Sequence, residues 1–450
     1  MKWTGWVVAA IGVGWPLPAL ADDPVEMLPP VTLSAPSPAE PPKTDAPKAA
    51  DSLTEPKEKT DAKPTVALRG RFEADALMPF QSRANQLAVG DFENATGFRR
   101  ARLGAQGRLG EAFHWVTELD FADGNVQLTD VYGGLGGLPV PGEVRVGHFL
   151  EPFSLEVQIS SNHFPFMEAS PAAAFDPAWN WGVALFAHTP DETATFAAGV
   201  FRPGSDRVGR SFTQGAELAY TARATWLPYH DGADDPVSLV HVGGAASFRS
   251  VPGDVVSFQP EPRSSLLETG DAPLPPFIQG TTIAARHLQL YNLEAAATIG
   301  PAWVMAEWRA AAIDQIDAPV VVFSGWYVSA GYFLTGEHRR YDRAMGIFDG
   351  VKVLAPVYRA DDKEGEVACG IGAWELVARI AYLDLTDPDL PPSDTGMPSG
   401  GELVQITLGV NWYLTDFARL MLNYTHFRTR PSVGRWTDGD LIGARFAVFW

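Results

Sequence analysis

Sixteen stretches of this chain alternate apolar and polar side chains with a period of two. Arg71, Glu73 and Asp75 oppose Phe72, Ala74, Ala76 and Met78. Arg100, Arg102, Gln106 and Arg108 oppose Ala101, Leu103 and Ala105, and Phe113, Trp115, Thr117, Leu119 and Phe121 oppose His114, Glu118 and Asp120. The pattern recurs at about 126–135, 143–149, 181–189, 194–202, 215–227, 236–249, 284–299, 302–312, 322–336, 371–383, 401–415, 417–428 and 438–450. In the last of these, Ile442, Ala444, Phe446, Val448 and Trp450 share one face. A period of two is the mark of strands with one apolar side, and an apolar edge strand aggregates unless something covers it.

Beyond residue 21 no stretch approaches the roughly 18 uncharged apolar residues that a spanning helix needs. A chain like this can cross a membrane only as a closed barrel, which satisfies its own backbone in lipid. If the first strand runs outward, the short links at 109–112, 136–142, 190–193, 228–235, 300–301 and 416 all fall at one end. The longer links after Met78, Phe149, Phe201, Arg249 and Leu383 fall at the other. Short turns on the periplasmic side and long loops outside are the asymmetry of outer-membrane barrels. A sandwich has no such parity and packs its apolar faces together, and no blade-length repeat marks a propeller. The fold class expected is all-β: a transmembrane antiparallel β-barrel of about sixteen strands spanning residues 65–450.

Residues 1–21 carry Lys2, an apolar run from Trp3 to Leu17 and Ala19-Leu20-Ala21, the layout of a cleavable export signal. Residues 22–64 hold ten prolines, nine acidic residues and five lysines, too little apolar content to bury a core. This stretch is expected to be a disordered periplasmic linker with an extended reach on the order of 130 Å, enough to touch peptidoglycan. Residues 65–450 hold 28 basic and 45 acidic residues, a balance of −17, which argues against nucleic acid as a partner. The single cysteine, Cys369, excludes an intrachain disulfide or a Cys-rich metal site. The Gly133–Gly137 stretch lacks the Lys-Ser/Thr of a phosphate-cradling loop. No cofactor and no metal are expected.

With apolar side chains toward lipid, the opposite parity faces the lumen. The inward set comprises Arg71, Arg100, Arg102, Arg108, Arg145, Arg223, Arg309, Arg379, Arg419 and Arg445 against Glu73, Asp75, Glu118, Asp120, Glu217, Glu294, Glu307 and Glu375. Planar, always-charged guanidinium groups suit an anion path. The link from about Leu150 to Asn180, with four prolines and four phenylalanines, is too apolar to stand in water and is expected to fold into the pore and narrow it. The stretch from Glu337 to Gly370 carries Arg339, Arg340 and Arg343. These form a basic rim if it folds inward, or pair with Glu337, Asp342 and Asp349 at a solvated turn. For a barrel enzyme the best cluster is His230-Asp231 with Asp234-Asp235. It sits at the periplasmic end, the wrong end for a surface hydrolase, so no enzymatic activity is expected.

Several pieces in order resemble the phosphate-selective porin O and P family. They are Phe98-Arg99-Arg100-Ala101-Arg102-Leu103-Gly104, Val146-Gly147-His148-Phe149, Glu151-Pro152-Phe153-Ser154-Leu155-Glu156, Ser160-Ser161 and Phe166-Met167-Glu168. Ala198-Gly199-Val200-Phe201, Tyr332 through Arg339, Gly372-Ala373-Trp374-Glu375-Leu376 and Gly409-Val410-Asn411-Trp412-Tyr413 follow. The resemblance implies an outer-membrane homotrimer of sixteen-stranded barrels with an arginine-lined path for small, phosphate-like anions. It assigns Arg99 and Arg100 to the family's paired arginines and Arg339 to its Gly-Glu-His-Arg motif. Leu150 and Ala169 stand where lysine and arginine are expected. The path candidates are thus Arg99, Arg100, Arg102, Arg145, Arg223, Arg309, Arg339, Arg340, Arg343 and Arg379. A weakly selective general porin and a barrel that tethers the outer membrane to the cell wall are the alternatives.

Overall fold

Each alternating stretch forms a strand, and the strands pair in chain order into a closed antiparallel barrel. The computed structural model describes residues 63–122, 124, 126–203, 217–232, 235–258, 282–360, 367–390 and 400–450. The export signal expected at 1–21 and all but the end of the linker expected at 22–64 lie outside the described residues. The wall strands are Thr65–Gln81, Ala95–Leu109, Phe113–Asp120, Gln127–Leu135, Gly142–Leu150, Trp179–His188, Ala194–Arg202 and Ala219–His230. They continue with Ser238–Ser250, Thr282–Ile299, Ala302–Gln315, Val321–Phe333, Ala373–Asp384, Gly401–Thr415, Ala418–Pro431 and Thr437–Phe449. The three-residue strand Val255–Ser257 pairs onto the margin at Thr282–Ala284. None of the described helices is long and apolar enough to cross a membrane.

Closure is between the first and last strands, in register from Arg71 opposite Phe449 to Gln81 opposite Gly439. Gly70 and Trp450 exchange backbone hydrogen bonds of 3.0 Å in both directions, so the terminal aromatic residue is tied into the seam. The edge that an open sheet would expose is thereby removed. Side chains on the outer face are exposed and apolar, among them Leu68, Phe98, Val146, Val200, Phe248, Leu293, Trp308, Leu408, Leu422 and Phe446. Their neighbours along each strand point inward.

The interior departs from a purely charged lumen in one respect. Near the long-loop end, inward-facing Ile283, Leu290, Ile313, Phe323, Leu383, Leu403 and Phe427 pack with Phe92, Phe153 and Phe175 from the links. Toward the short-turn end, Trp303, Met305, Tyr327, Val377 and Tyr413 pack with Leu155, Phe164, Phe166, Tyr341 and Phe348. Both apolar clusters exist because chain segments enter the barrel and need apolar wall to bury against.

Candidate functional site

The first entering segment is the link Glu151–Ala178, which folds inward as its composition predicts; Phe153, Leu155, Phe166 and Phe175 are all buried. The single helical turn Leu155–Gln158 is capped by Ser154, whose hydroxyl accepts from Val157 N–H. Its free amides are taken by the wall: Leu155 and Glu156 donate to the Glu307 carboxylate at 3.0 and 2.7 Å. A carboxylate is the natural acceptor at a helix start. Glu156 in turn pairs with Arg309 at 3.1 Å and Arg379 at 3.3 Å. Arg309 also pairs with Asp176 at 3.1 Å and Glu307 at 3.0 Å. Arg309 and Arg379 therefore hold the segment to the wall. Burial pushes the Asp176 carboxyl up to about 7, against the pull of Arg309.

The second entering segment joins Phe333 to Ala373 at the short-turn end. The Tyr341 hydroxyl lies 2.6 Å from His241 Nδ1, and Arg223 donates to the Gly346 carbonyl at 2.9 Å while pairing with Glu294 at 2.7 Å. Gly346 has φ +66°, and a Cβ there would lie 2.6 Å from the Thr225 hydroxyl oxygen. Glycine is needed for both the backbone and the fit. The expected basic rim divides. Arg340 lies half-exposed between Asp235 and Asp349, and Arg343 reaches Glu192, both at periplasmic turns. Arg339 instead runs inward, fully buried, over the Trp303 ring and 3.5 Å from Glu375. The solvated-turn reading thus holds for Arg340 with Asp349, whereas Arg339 is built into the interior.

The two segments meet at Ser160–Phe164, and guanidinium groups converge there. Arg71 donates to the Ser161 hydroxyl, Arg339 to the His163 carbonyl, and Arg419 to the carbonyls of Phe164 and Ser161 at 2.7 and 2.9 Å. Arg419 is 1% exposed and, among the described residues, has no carboxylate within ion-pair distance. Glu118 is shared by Arg69 at 3.0 Å, Arg71 at 3.3 Å and Arg102 at 3.2 Å. Positive charge is locally in excess. His163 registers it: burial first, then Arg419, Arg339 and Arg71, hold its imidazole down at about 4 even though Asp349 lies 3.4 Å away.

Beside this point Arg99 and Arg100, adjacent in sequence, both engage lumenal carboxylates. Arg100 pairs with Glu73 at 2.6 Å and Arg99 with Glu168 at 2.9 Å. Strict alternation would send one of them outward. The register shift explains it: Glu73 opposes Arg100 while Ala74 opposes Phe98, leaving Arg99 as the extra residue of a β-bulge. A bulge re-aims a side chain at the cost of one unpaired residue.

The sequence profile described as phosphate-selective porin O and P matches residues 66–449. The chain belongs to that family. It is an outer-membrane porin, and the family is one of channels. Porin O of Pseudomonas aeruginosa is 24% identical over 411 residues, covering 85% of this chain and 87% of that protein. An uncharacterized protein of Caulobacter vibrioides is 28% identical over 346 residues, 72% of this chain and 61% of its own length. Among solved structures, Pseudomonas putida OprB at high pH superposes with a TM-score of 0.50 at 10% identity, covering 86% of this chain and 94% of that one. That likeness bears on the fold alone.

The arginines of this porin fall into two groups. Side chains of Arg69, Arg99, Arg100 and Arg145 keep between 14% and 28% of their surface open, with Arg102 at 9%. Arg145 pairs with Glu143 and lies over the Phe186 and Tyr132 rings. Arg223, Arg309, Arg339 and Arg379 are sealed against carboxylates and carbonyls. Alternation placed Arg71 and Arg419 in the lumen but gave no reason to set them at the constriction. Arg69 lies two residues before the stretch read as a strand, and continuing the alternation would have found it. Arg108 is exposed at a turn, donating to the Glu111 carbonyl. Asp231 accepts from Val237 and Ser238 within its own turn, so the His230-Asp231 pair closes a hairpin.

Proposed function

We propose that this porin passes small anions, phosphate-like ones among them, by passive diffusion along the wall formed by strands Thr65–Gln81, Ala95–Leu109 and Phe113–Asp120. The supporting observation is the cationic excess around Ser160–Phe164, where Arg71, Arg339 and Arg419 converge and Glu118 serves three guanidinium groups. An anion entering from the long-loop end meets Arg99, Arg100, Arg102 and then Arg69, whose open N–H groups replace part of its hydration shell. The buried arginines add a field without binding the ion directly. Each open arginine already has a carboxylate neighbour, which keeps binding weak enough for release. Arg145, Arg340 and Arg343 line the way toward the periplasm, and Arg223, Arg309 and Arg379 support it by holding the two inward segments. No bond is made or broken. Single-channel conductance compared in chloride and phosphate tests the reading: it requires anion current in both, with residence in phosphate long enough to reduce chloride flux.

We infer also that the porin is a homotrimer joined through strands Phe113–Asp120 to Ala194–Arg202. These strands are 8 to 10 residues long, against 12 to 18 elsewhere in the wall. Tilted near 40°, a nine-residue strand rises only about 23 Å. A low wall fits a neighbouring barrel better than a full bilayer. Chemical crosslinking of membranes followed by denaturing electrophoresis should yield a trimer band.

A further inference from the structure

The outer face of strand Ala418–Pro431 changes character along its length. Leu420, Leu422 and Tyr424 are exposed and apolar, and the same face continues as His426, Arg428 and Arg430 toward the long-loop end. The Arg428 and Arg430 guanidinium groups lie over one indole, that of Trp436, at 5.4 and 5.3 Å from the ring centroid. Exposed Arg435 is next to it in the chain. His426 is paired with Asp440 at 2.9 Å, which also accepts from the Tyr424 hydroxyl, and Glu402 pairs with Arg430. Asp438 faces Arg428 across the ladder, yet among the described residues neither Arg428 nor Arg435 has a carboxylate within ion-pair distance. Four residues of tilted strand carry the chain about 10 Å along the membrane normal. The guanidinium groups therefore stand just above the aromatic end of the apolar belt, at headgroup depth.

We propose that Arg428, Arg430, Arg435 and Trp436 bind the phosphate of an anionic glycolipid in the outer leaflet. Cation–π contact brings two planar forks to one ring, which suits two-pronged recognition of phosphate. The indole supplies the half-apolar body that membrane interfaces favour. The site faces lipid, outside the barrel wall, and is separate from the anion path.

The test uses the full chain in detergent micelles, incubated with diphosphorylated lipid A or with the same lipid after phosphate removal, and counts bound lipid by native mass spectrometry. Wild-type protein should retain the phosphorylated lipid preferentially, and Arg428→Gln/Arg430→Gln should lower that retention about tenfold. Arg428→Lys/Arg430→Lys, which preserves charge, length and the exposed setting, should retain an intermediate amount. Excess inorganic phosphate should leave the bound lipid in place. Equal retention by wild type and both variants, no preference for the phosphorylated form, or displacement by inorganic phosphate would each overturn the proposal. Channel conductance should be unchanged in both variants, so the outcome is independent of the selectivity of the pore.

Discussion

Arg445 on the last strand grips Asp75 on the first with two hydrogen bonds of 2.7 Å, one from Nε and one from Nη2. The same guanidinium reaches Glu73 at 3.0 Å and Glu168 on the inward segment at 2.7 Å. One side chain thus joins the seam of the barrel to the segment that narrows it.

Replacing Arg445 with methionine should leave the buried carboxylates of Glu73 and Asp75, and the partly open one of Glu168, without their shared cation. Removing one partner of a buried pair costs about 3 to 5 kcal/mol. The variant barrel should unfold at lower denaturant concentration, followed by the shift between folded and unfolded bands on electrophoresis, while Asp75→Asn, which keeps one hydrogen bond, should lose less.

Glu156 ties Arg309 and Arg379 to the inward segment. Glu156→Ala is expected to loosen the helical turn Leu155–Gln158, which keeps only its amide contacts to Glu307 and the Asp176–Arg309 pair nearby, and to widen the passage. Single-channel recordings should show larger and noisier conductance than wild type, and Arg309→Ala should reproduce the effect.

Much of this architecture is legible in the alternation of side chains. All sixteen strands coincide with the expected stretches, and the inward folding of Glu151–Ala178 follows from its phenylalanines and prolines. What alternation cannot carry is an extra residue: nothing around Arg99 signals a bulge, because the register is decided by the partner strand. Nor does the side of the wall reveal which arginines are open. Arg100 and Arg309 share the same parity, yet Arg100 keeps 14% of its side chain open, whereas Arg309 is enclosed by Glu307 on its own strand and by Glu156 and Asp176, both more than a hundred residues away. The convergence on Ser160–Phe164 depends on two inserted segments meeting, a long-range event with no local mark.

The Asp176 carboxyl, raised to about 7 from an ordinary 3.8, makes stability depend on pH. A group whose pKa rises on folding favours the fold fully below its unfolded value and ceases to do so as pH climbs through the folded one. Thermal unfolding at pH 5 and pH 8 should therefore show Asp176→Asn gaining on wild type at the higher pH. A constant difference between the two proteins would remove this role.

Ala169 lies half-buried beside Glu168 in the constricting segment, at a position where the family resemblance expects arginine. Ala169→Arg should add an open cation close to Arg99 and Arg379. The ratio of anion to cation permeability should rise about two- to tenfold, as one added charge near a pore of intermediate dielectric shifts ion energies by on the order of 1 kcal/mol.

The most direct measurement is the zero-current potential of the purified porin in a planar bilayer under a potassium chloride gradient. The convergence of Arg71, Arg339 and Arg419 predicts a potential of the sign set by chloride, moving toward zero in Arg419→Gln and Arg71→Gln. A potential of the sign set by potassium, or one unmoved by both substitutions, would contradict it.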